Sequence, residues 1–320
     1  MNDRFASKQK ILNPSASILR GQQPRCSAAR LLIKPVQKRK FTNRFIDLYK
    51  NNFYYAGMNI CLFSPEELGL PLAEKDERAQ HIVKILHKKS GDSFKAGIIG
   101  GAAGYAVITK IDGGTVFYDF TAESNGKELI PLKMIIGFPR PIQLKRLLRD
   151  IAALGVCEVH LTGTELGEKS YMNSTLVERG AAYKMLLDGT VQAGSTHIPS
   201  LFMHKTLAET LDCINGIADT HLNDKIKAGD KELRIALDNV NPKIDIKTAL
   251  QESKGCHNVC AAIGSERGWT DRERTQLEEA GFIRAGMGER IMRTETAATA
   301  AAAIISCFTG MMTERRGNEI

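Results

Sequence analysis

From Pro131 onward, short apolar runs alternate with amphipathic segments, and this alternation narrows the possible folds more than any other feature of the chain. The run MIIGF (134–138) is β-branched and apolar. QLKRLLRDIAALGV, which follows, puts Leu144, Leu147, Leu148, Ile151 and Leu154 at helical spacing. CEVHL then reads as a strand, a helix is expected over roughly 174–187, and LRIAL and NVCAAIG read as further strands. In GSERGWTDRERTQLEEAG, Thr270 and Glu273 have the spacing of a capping box that starts a helix. GFIRAG is the next strand, and MGERIMRTETAATAAAAII (287–305) leads into an alanine-rich helix. Strands apolar on both sides need cover on both faces, and strand–helix alternation supplies it. The reading is an α/β fold on a parallel sheet, over 130–320.

Residues 58–129 differ. NICLF, DSFKAGII, YAVITKI and TVFYDFTA are short strands separated by Gly/Asp turns. One helical insert, EKDERAQHIVKILHKKSGD, is expected to turn Ile82, Ile85 and Leu86 toward a core. The GGAAG run is followed by strand and no helix, so it reads as a hairpin turn and not a phosphate loop. This is a small β-barrel-like domain with one helix.

The net charge of +8 suggests a polyanion partner until it is located. Residues 1–57 carry +10 and the remainder −2, so the basicity belongs to the leader. That segment is basic, serine-containing and acid-poor, with no secretory apolar core. Three readings stay open: a disordered leader, a targeting segment, or translation begun upstream of a start at Met58. Seven cysteines without a CxxC pair suit a reducing compartment, which points to the cytoplasm. Cys256 and Cys260 lie within an expected strand and read as core, so no metal is expected. No membrane span is expected either: the uncharged run 296–312 is 17 residues, short of the roughly 20 a span needs.

Two loops share an address. GSERG follows NVCAAIG and GMGERIMR follows GFIRAG, so both lie at carboxyl ends of parallel strands, where open α/β sheets bind ligands. Gly264, Gly268, Gly286 and Gly288 allow close backbone approach there. The second loop opens a helix whose N-terminal N–H groups suit an anionic or polar ligand, with Arg290 and Arg293 adding charge and Glu295 in the first turn. A capped core helix with solvent-facing arginines is the alternative.

GSERGWTDRE resembles the Gly-Pro-Glu-Gly-Gly-Phe/Leu-Ser loop of SPOUT-class methyltransferases. MGERIMRTETA resembles the Leu-Gly-x-Arg-Ile-Leu-Arg-Thr-Glu-Thr-Ala signature of one branch, the small-subunit (16S) ribosomal RNA uridine N3-methyltransferases. QAGSTHIP (192–199) and HIVKILH (81–87) are similar to two further segments of that branch. The resemblance spans about 58–312 and implies a PUA-like RNA-binding barrel followed by a SPOUT domain with a C-terminal trefoil knot. It implies S-adenosyl-L-methionine as cofactor, ribosomal RNA in the small ribosomal subunit as partner, and a homodimer. By the same resemblance, Leu237, Ile263, Gly264, Ser265, Glu266, Gly268, Met287, Gly288, Ile291 and Met292 hold the cofactor. His81, Lys84, His87, Arg140 and Arg290 face RNA.

Methyl transfer from a sulfonium requires alignment more than metal chemistry. N3 of uracil must lose a weakly acidic proton, which a base removes or a cation stabilises as charge develops. Arg293 is the candidate for that role; a salt bridge to Glu295 or Glu266 is the competing one. The chain departs from the family pattern at Ser265, Arg267 and Met287, and Ser195 stands where the family has arginine. His87, Arg140 and Ala153 also depart. Backbone contacts to a cofactor survive such changes better than side-chain contacts to RNA. Two rivals remain: a ribose 2′-O-methyltransferase of the same fold, and a non-catalytic RNA-binding assembly factor.

Overall fold

The computed structural model describes residues 59–174, 180–216, 232–253, 256, 258–310 and 312. The leader, 1–57, lies outside the described residues.

The first sheet has four strands: β1 (Cys61–Phe63), β2 (Ser93–Ile98), β3 (Ala103–Asp112) and β4 (Thr115–Ser124), in that order. β1 runs parallel to β2, and the other pairs are antiparallel. Phe63 stacks on Tyr118 at 4.7 Å within its core. GGAAG is the β2–β3 turn, closed by the Ile98 N–H donating to the Ala102 carbonyl at 2.8 Å. Helix α1 (Glu77–Gln80) runs directly into a π-helical turn, His81–Ile85. That widening corrects the expected core face. At 3.6 residues per turn Ile82, Ile85 and Leu86 would share a side; the observed i→i+5 winding keeps Ile82 buried but leaves Ile85 60% and Leu86 40% exposed.

The second sheet has seven strands: β5 (Ile130–Gly137), β6 (Val156–Thr162), β7 (Ser200–His204), β8 (Glu232–Leu237), β9 (Ile244–Asp245), β10 (Asn258–Ile263) and β11 (Ile283–Gly286). Their order is β7-β6-β5-β10-β8-β11-β9, and every neighbouring pair is parallel. All residues of β6 and β10 are buried, as a sheet covered on both faces requires, and in β6 these include Glu158 and His160. On one face, Leu144, Leu147, Leu148 and Ile151 of α2 (Pro141–Ala153) pack with Ala298, Ala301, Ala302 and Ile305. The latter four belong to the C-terminal helix, α8 (Thr294–Phe308), numbered last of eight helices along the described chain. The opposite face is covered by α5 (Leu207–Gly216) and α7 (Asp271–Glu279) through Leu207, Leu211, Ile214 and Leu277. Between these lie α3 (Lys169–Met172), α4 (Ala181–Gln192) and α6 (Ile246–Glu252). The helix expected from residue 174 therefore begins at Ala181, with 175–179 outside the described residues.

The two sheets meet at Ile60 and Leu62 against Leu187 and Val191. The QAGSTHIP segment is the seam: Thr196 donates from Oγ1 to Gly101 O at 2.7 Å and accepts at its carbonyl from Gly100 N–H at 2.8 Å. Ser195, where the resemblance implies an arginine, is buried there and donates to the Lys127 carbonyl at 3.2 Å. Its side chain is committed to joining the sheets.

Candidate functional site

Because the sheet is wholly parallel, the loops after β5, β6, β8, β10 and β11 all leave from one edge. Leu237 and Ile263 end their strands buried, at 7% and 4% exposure, and form an apolar floor. Above it, the 264–268 loop folds on itself, with the Gly268 N–H donating to the Ser265 carbonyl at 2.8 Å. Ser265 is buried, and its Oγ accepts from Thr164 Oγ1 at 2.9 Å. The β6 loop is tied down again where Glu165 N–H donates to Glu273 Oε1 at 2.9 Å. Glu273 also completes the capping box with Thr270 that the sequence predicted, so one carboxylate starts α7 and pins a neighbouring loop.

The two motif loops touch. Thr294, in the first turn of α8, is buried and donates from Oγ1 to the Gly264 carbonyl at 3.2 Å. The sequence placed Thr294 in the Arg-Thr-Glu-Thr-Ala signature at the helix entrance but gave it no partner, because a threonine at a helix start is ordinarily a cap; here it faces across to another strand's loop. Thr294→Val keeps the shape and strands the Gly264 carbonyl. It is expected to lower stability by about 1–3 kcal/mol, measured by denaturant unfolding. A loss indistinguishable from zero would mean that the loops are not coupled through this bond.

Asp238 is a second residue that sequence reasoning missed. It follows β8, is buried, and accepts from Arg274 Nε, while Arg274 reaches Asp271 as well at 2.7 Å. The pair cross-links the β8 loop to α7, and the acidic residue directly after the apolar run LRIAL was the available signal.

The predicted cofactor residues divide by depth. Leu237, Ile263, Gly264 and Ser265 are buried; Gly268, Met287 and Met292 are half-buried; Glu266, Gly288 and Ile291 are exposed. Ile291 is 84% exposed, so its side chain is no part of the floor. Around Gly268 and Gly288 there is room: a Cβ built on either meets no atom within 4 Å. Buried apolar strand ends beneath open, glycine-edged loops fit an adenosyl group held mainly by backbone.

Arg290 and Arg293 are exposed at the same edge. Glu266 is engaged by Arg140, Nε to Oε2 at 3.2 Å, and among the described residues no ion pair holds Arg293. Arg140 is thus 63% exposed in its side chain but paired, bridging the β5 and β10 loops. On the first sheet, Lys84 and His87 are exposed, whereas His81, expected to face RNA, is 5% exposed: it lies three residues after buried Arg78, on the inward side of the helix. A cavity of about 310 Å³ lies nearby, bordered by Ile82, Leu86, Lys88, Lys95 and Tyr105; no predicted cofactor residue lines it. Cys260 sits in β10 fully buried, with burial pushing its thiol pKa up, as expected of a core cysteine. Among the described residues no helix is long and apolar enough to cross a membrane.

Residues 126–306 match the RNA methyltransferase domain family. The chain is 38% identical over 252 residues to the ribosomal RNA small subunit methyltransferase E of Treponema pallidum (strain Nichols), covering 78% of this chain and 90% of that protein. It is 31% identical over 249 residues to the ribosomal RNA small subunit methyltransferase E 1 of Borreliella burgdorferi, covering 77% and 97%. In fold it is similar to the crystal structure of a ribosomal RNA small subunit methyltransferase E from Neisseria gonorrhoeae bound to S-adenosyl methionine. That likeness has a TM-score of 0.58 at 20% identity and covers 78% of this chain and 97% of the other. With the two motif loops joined at one edge of a parallel sheet, the chain belongs to the RNA methyltransferase domain family and, within it, to the ribosomal RNA small subunit methyltransferase E proteins.

Proposed function

We propose that this protein methylates N3 of a uridine in 16S ribosomal RNA, using S-adenosyl-L-methionine. The observation that carries the reading is the Thr294–Gly264 bond, which joins the two signature loops over the apolar floor of Leu237 and Ile263. The cofactor supplies an electrophilic methyl group. The chain's part is to hold it by the backbone of 264–268 and 287–292, to exclude water with the floor, and to align the base. Alignment of this kind supplies a large part of the rate. Arg293, exposed at the helix start, orients the uracil and stabilises the charge that develops as N3 loses its proton.

The finer features of the reading are a trefoil-knot threading, a PUA-like role for the first sheet, a homodimer and a cytoplasmic setting. The threading is supported by β11 lying inside the sheet beside β8 while α8 returns across β5 and β10. Exposed Ile142 and Ile291, at 69% and 84% on the sheet's C-terminal edge, are apolar surface that a second copy would cover. Mass mapping of modified uridines in ribosomal RNA, with and without this protein, is the test. A protein-dependent methyl on N3 is expected; a methyl on a ribose would make it a 2′-O enzyme. No methylation together with no S-adenosylmethionine binding in calorimetry would make it an assembly factor.

The first sheet's RNA role is tested separately. Lys84 and His87 are exposed, Lys88 half-buried and Lys89 exposed around the end of the π-helical turn. Lys84→Glu with Lys88→Glu is expected to weaken RNA binding and make its salt dependence shallower, by roughly 0.7–0.9 in log–log slope for each phosphate left without a cation. Titrations at several salt concentrations with an unchanged slope would reduce these lysines to a solvated helix end.

A further inference from the structure

Away from the methyl-transfer edge, the second sheet gathers a set of metal-ligating side chains that spacing along the chain conceals. His160 of β6, His204 of β7 and Cys213 of α5 are all buried, and one ligand atom from each lies within 4.8 Å of the other two. His160 Nδ1 stands 3.1 Å from His204 Nε2. Two nitrogens bound at ~2.0–2.1 Å to one tetrahedral ion would stand roughly 3.3 Å apart. On its other side, His160 Nε2 faces Glu158 Oε2 at 3.3 Å, both side chains being almost wholly buried. A carboxylate behind a histidine is the usual outer partner of a metal-bound imidazole, because it fixes the tautomer that turns the other nitrogen's lone pair to the ion. His160 is further held by stacking on Phe202 at 4.6 Å. Its ring direction is therefore set before any ion arrives.

We propose that His160, His204 and Cys213 form a structural zinc site, with Glu158 as the outer carboxylate. Charge supports this choice. A zinc ion, one thiolate and one carboxylate sum to zero, so the burial that would expel a lone cation is tolerated. Cys213 loses its thiol proton to solvent as the sulfur–metal bond forms. Zinc suits one sulfur and two imidazoles, whereas calcium and magnesium prefer oxygen.

The site's place says what it would do. β7 is the edge strand of the sheet, and α5 covers it. The hydroxyl contact from Thr210 of α5 to Thr162 of β6, 2.8 Å, is the polar tie beside it. An ion held by β6, β7 and α5 would fasten the edge strand and its helix to the interior of the sheet. It would also steady the β6 loop, which touches the 264–268 loop through Thr164 and Ser265.

The experiment uses the untagged full-length chain expressed in zinc-supplemented medium. Elemental analysis after exhaustive dialysis is expected to find about one zinc per chain, and chelation is expected to lower the thermal midpoint by several degrees. Cys213→Ser and His204→Gln should each lose most of the zinc. Wild-type protein that carries no zinc, and whose midpoint does not move when zinc is present during refolding, would overturn the proposal. So would zinc retained in full by both variants, since the ion would then sit elsewhere. If the variants fail to fold, zinc content and chelation in the wild type decide the matter.

Discussion

Gly137→Ala is expected to cut affinity for S-adenosylmethionine by about 10- to 100-fold while leaving the fold intact, a strain of the size that overpacking commonly imposes. The reason is where the methyl would go. A Cβ on Gly137 would stand 2.4 Å from Ser265 N and 2.9 Å from Gly264 C, and both are backbone. A flexible side chain could swing aside; a peptide cannot. The 264–268 loop must therefore shift off the floor made by Ile263 and Leu237, carrying with it the Gly264 carbonyl that Thr294 holds. The companion substitution Gly288→Val works differently, since a Cβ there meets nothing within 4 Å. Its φ of +97° is the obstacle, because a β-branched residue is strongly disfavoured in that region. Calorimetric titration with the cofactor measures both, with circular dichroism as the check on folding. Wild-type affinity in Gly137→Ala would remove the cofactor from this edge of the sheet.

Arg293→Ala is expected to lower turnover by about 10²–10³ with little change in cofactor affinity, the loss typical of removing one donor aimed at developing charge. The structure sharpens this expectation. A structural arginine would be tied to Glu266 or Glu295, yet Glu266 is engaged by Arg140, and among the described residues no ion pair holds Arg293. Thr294, one residue on, faces inward and anchors the helix, so Arg293 can be truncated without disturbing that anchor. Single-turnover methylation alongside cofactor titration separates the outcomes. Equal losses in turnover and in cofactor binding would make Arg293 a cofactor-holding or structural residue and end the catalytic reading.

Local patterns carried the fold a long way. β10 was legible because a strand buried on both faces leaves a nearly unbroken apolar run, β6 because Val156, Val159 and Leu161 outweigh its Glu158 and His160, and α7 because Thr270 and Glu273 announce its start. β7 was not legible. SLFMH is short, and His204 occupies a buried position where a polar residue hides the strand signal. The core face of α1 was misjudged for a different reason: periodicity assumes 3.6 residues per turn, and the π-helical turn at His81–Ile85 breaks that assumption in one step.

The site divides in the same way. By itself, the sequence determined that two glycine-bearing loops follow strands of the parallel sheet and that an alanine-rich helix starts at the second loop. Those are properties of nearest neighbours along the chain; that β8 lies between those two strands was left to the tertiary structure. Tertiary structure alone decided that Thr294 reaches the Gly264 carbonyl, that Arg140 takes Glu266 away from Arg293, and that Ser195 is spent on the seam between the sheets. It alone set His160 beside His204, 44 residues apart in sequence. The physical reason is common to all four. Spacing along a chain encodes the face a side chain presents, but the order in which parallel strands assemble fixes its opposite partner.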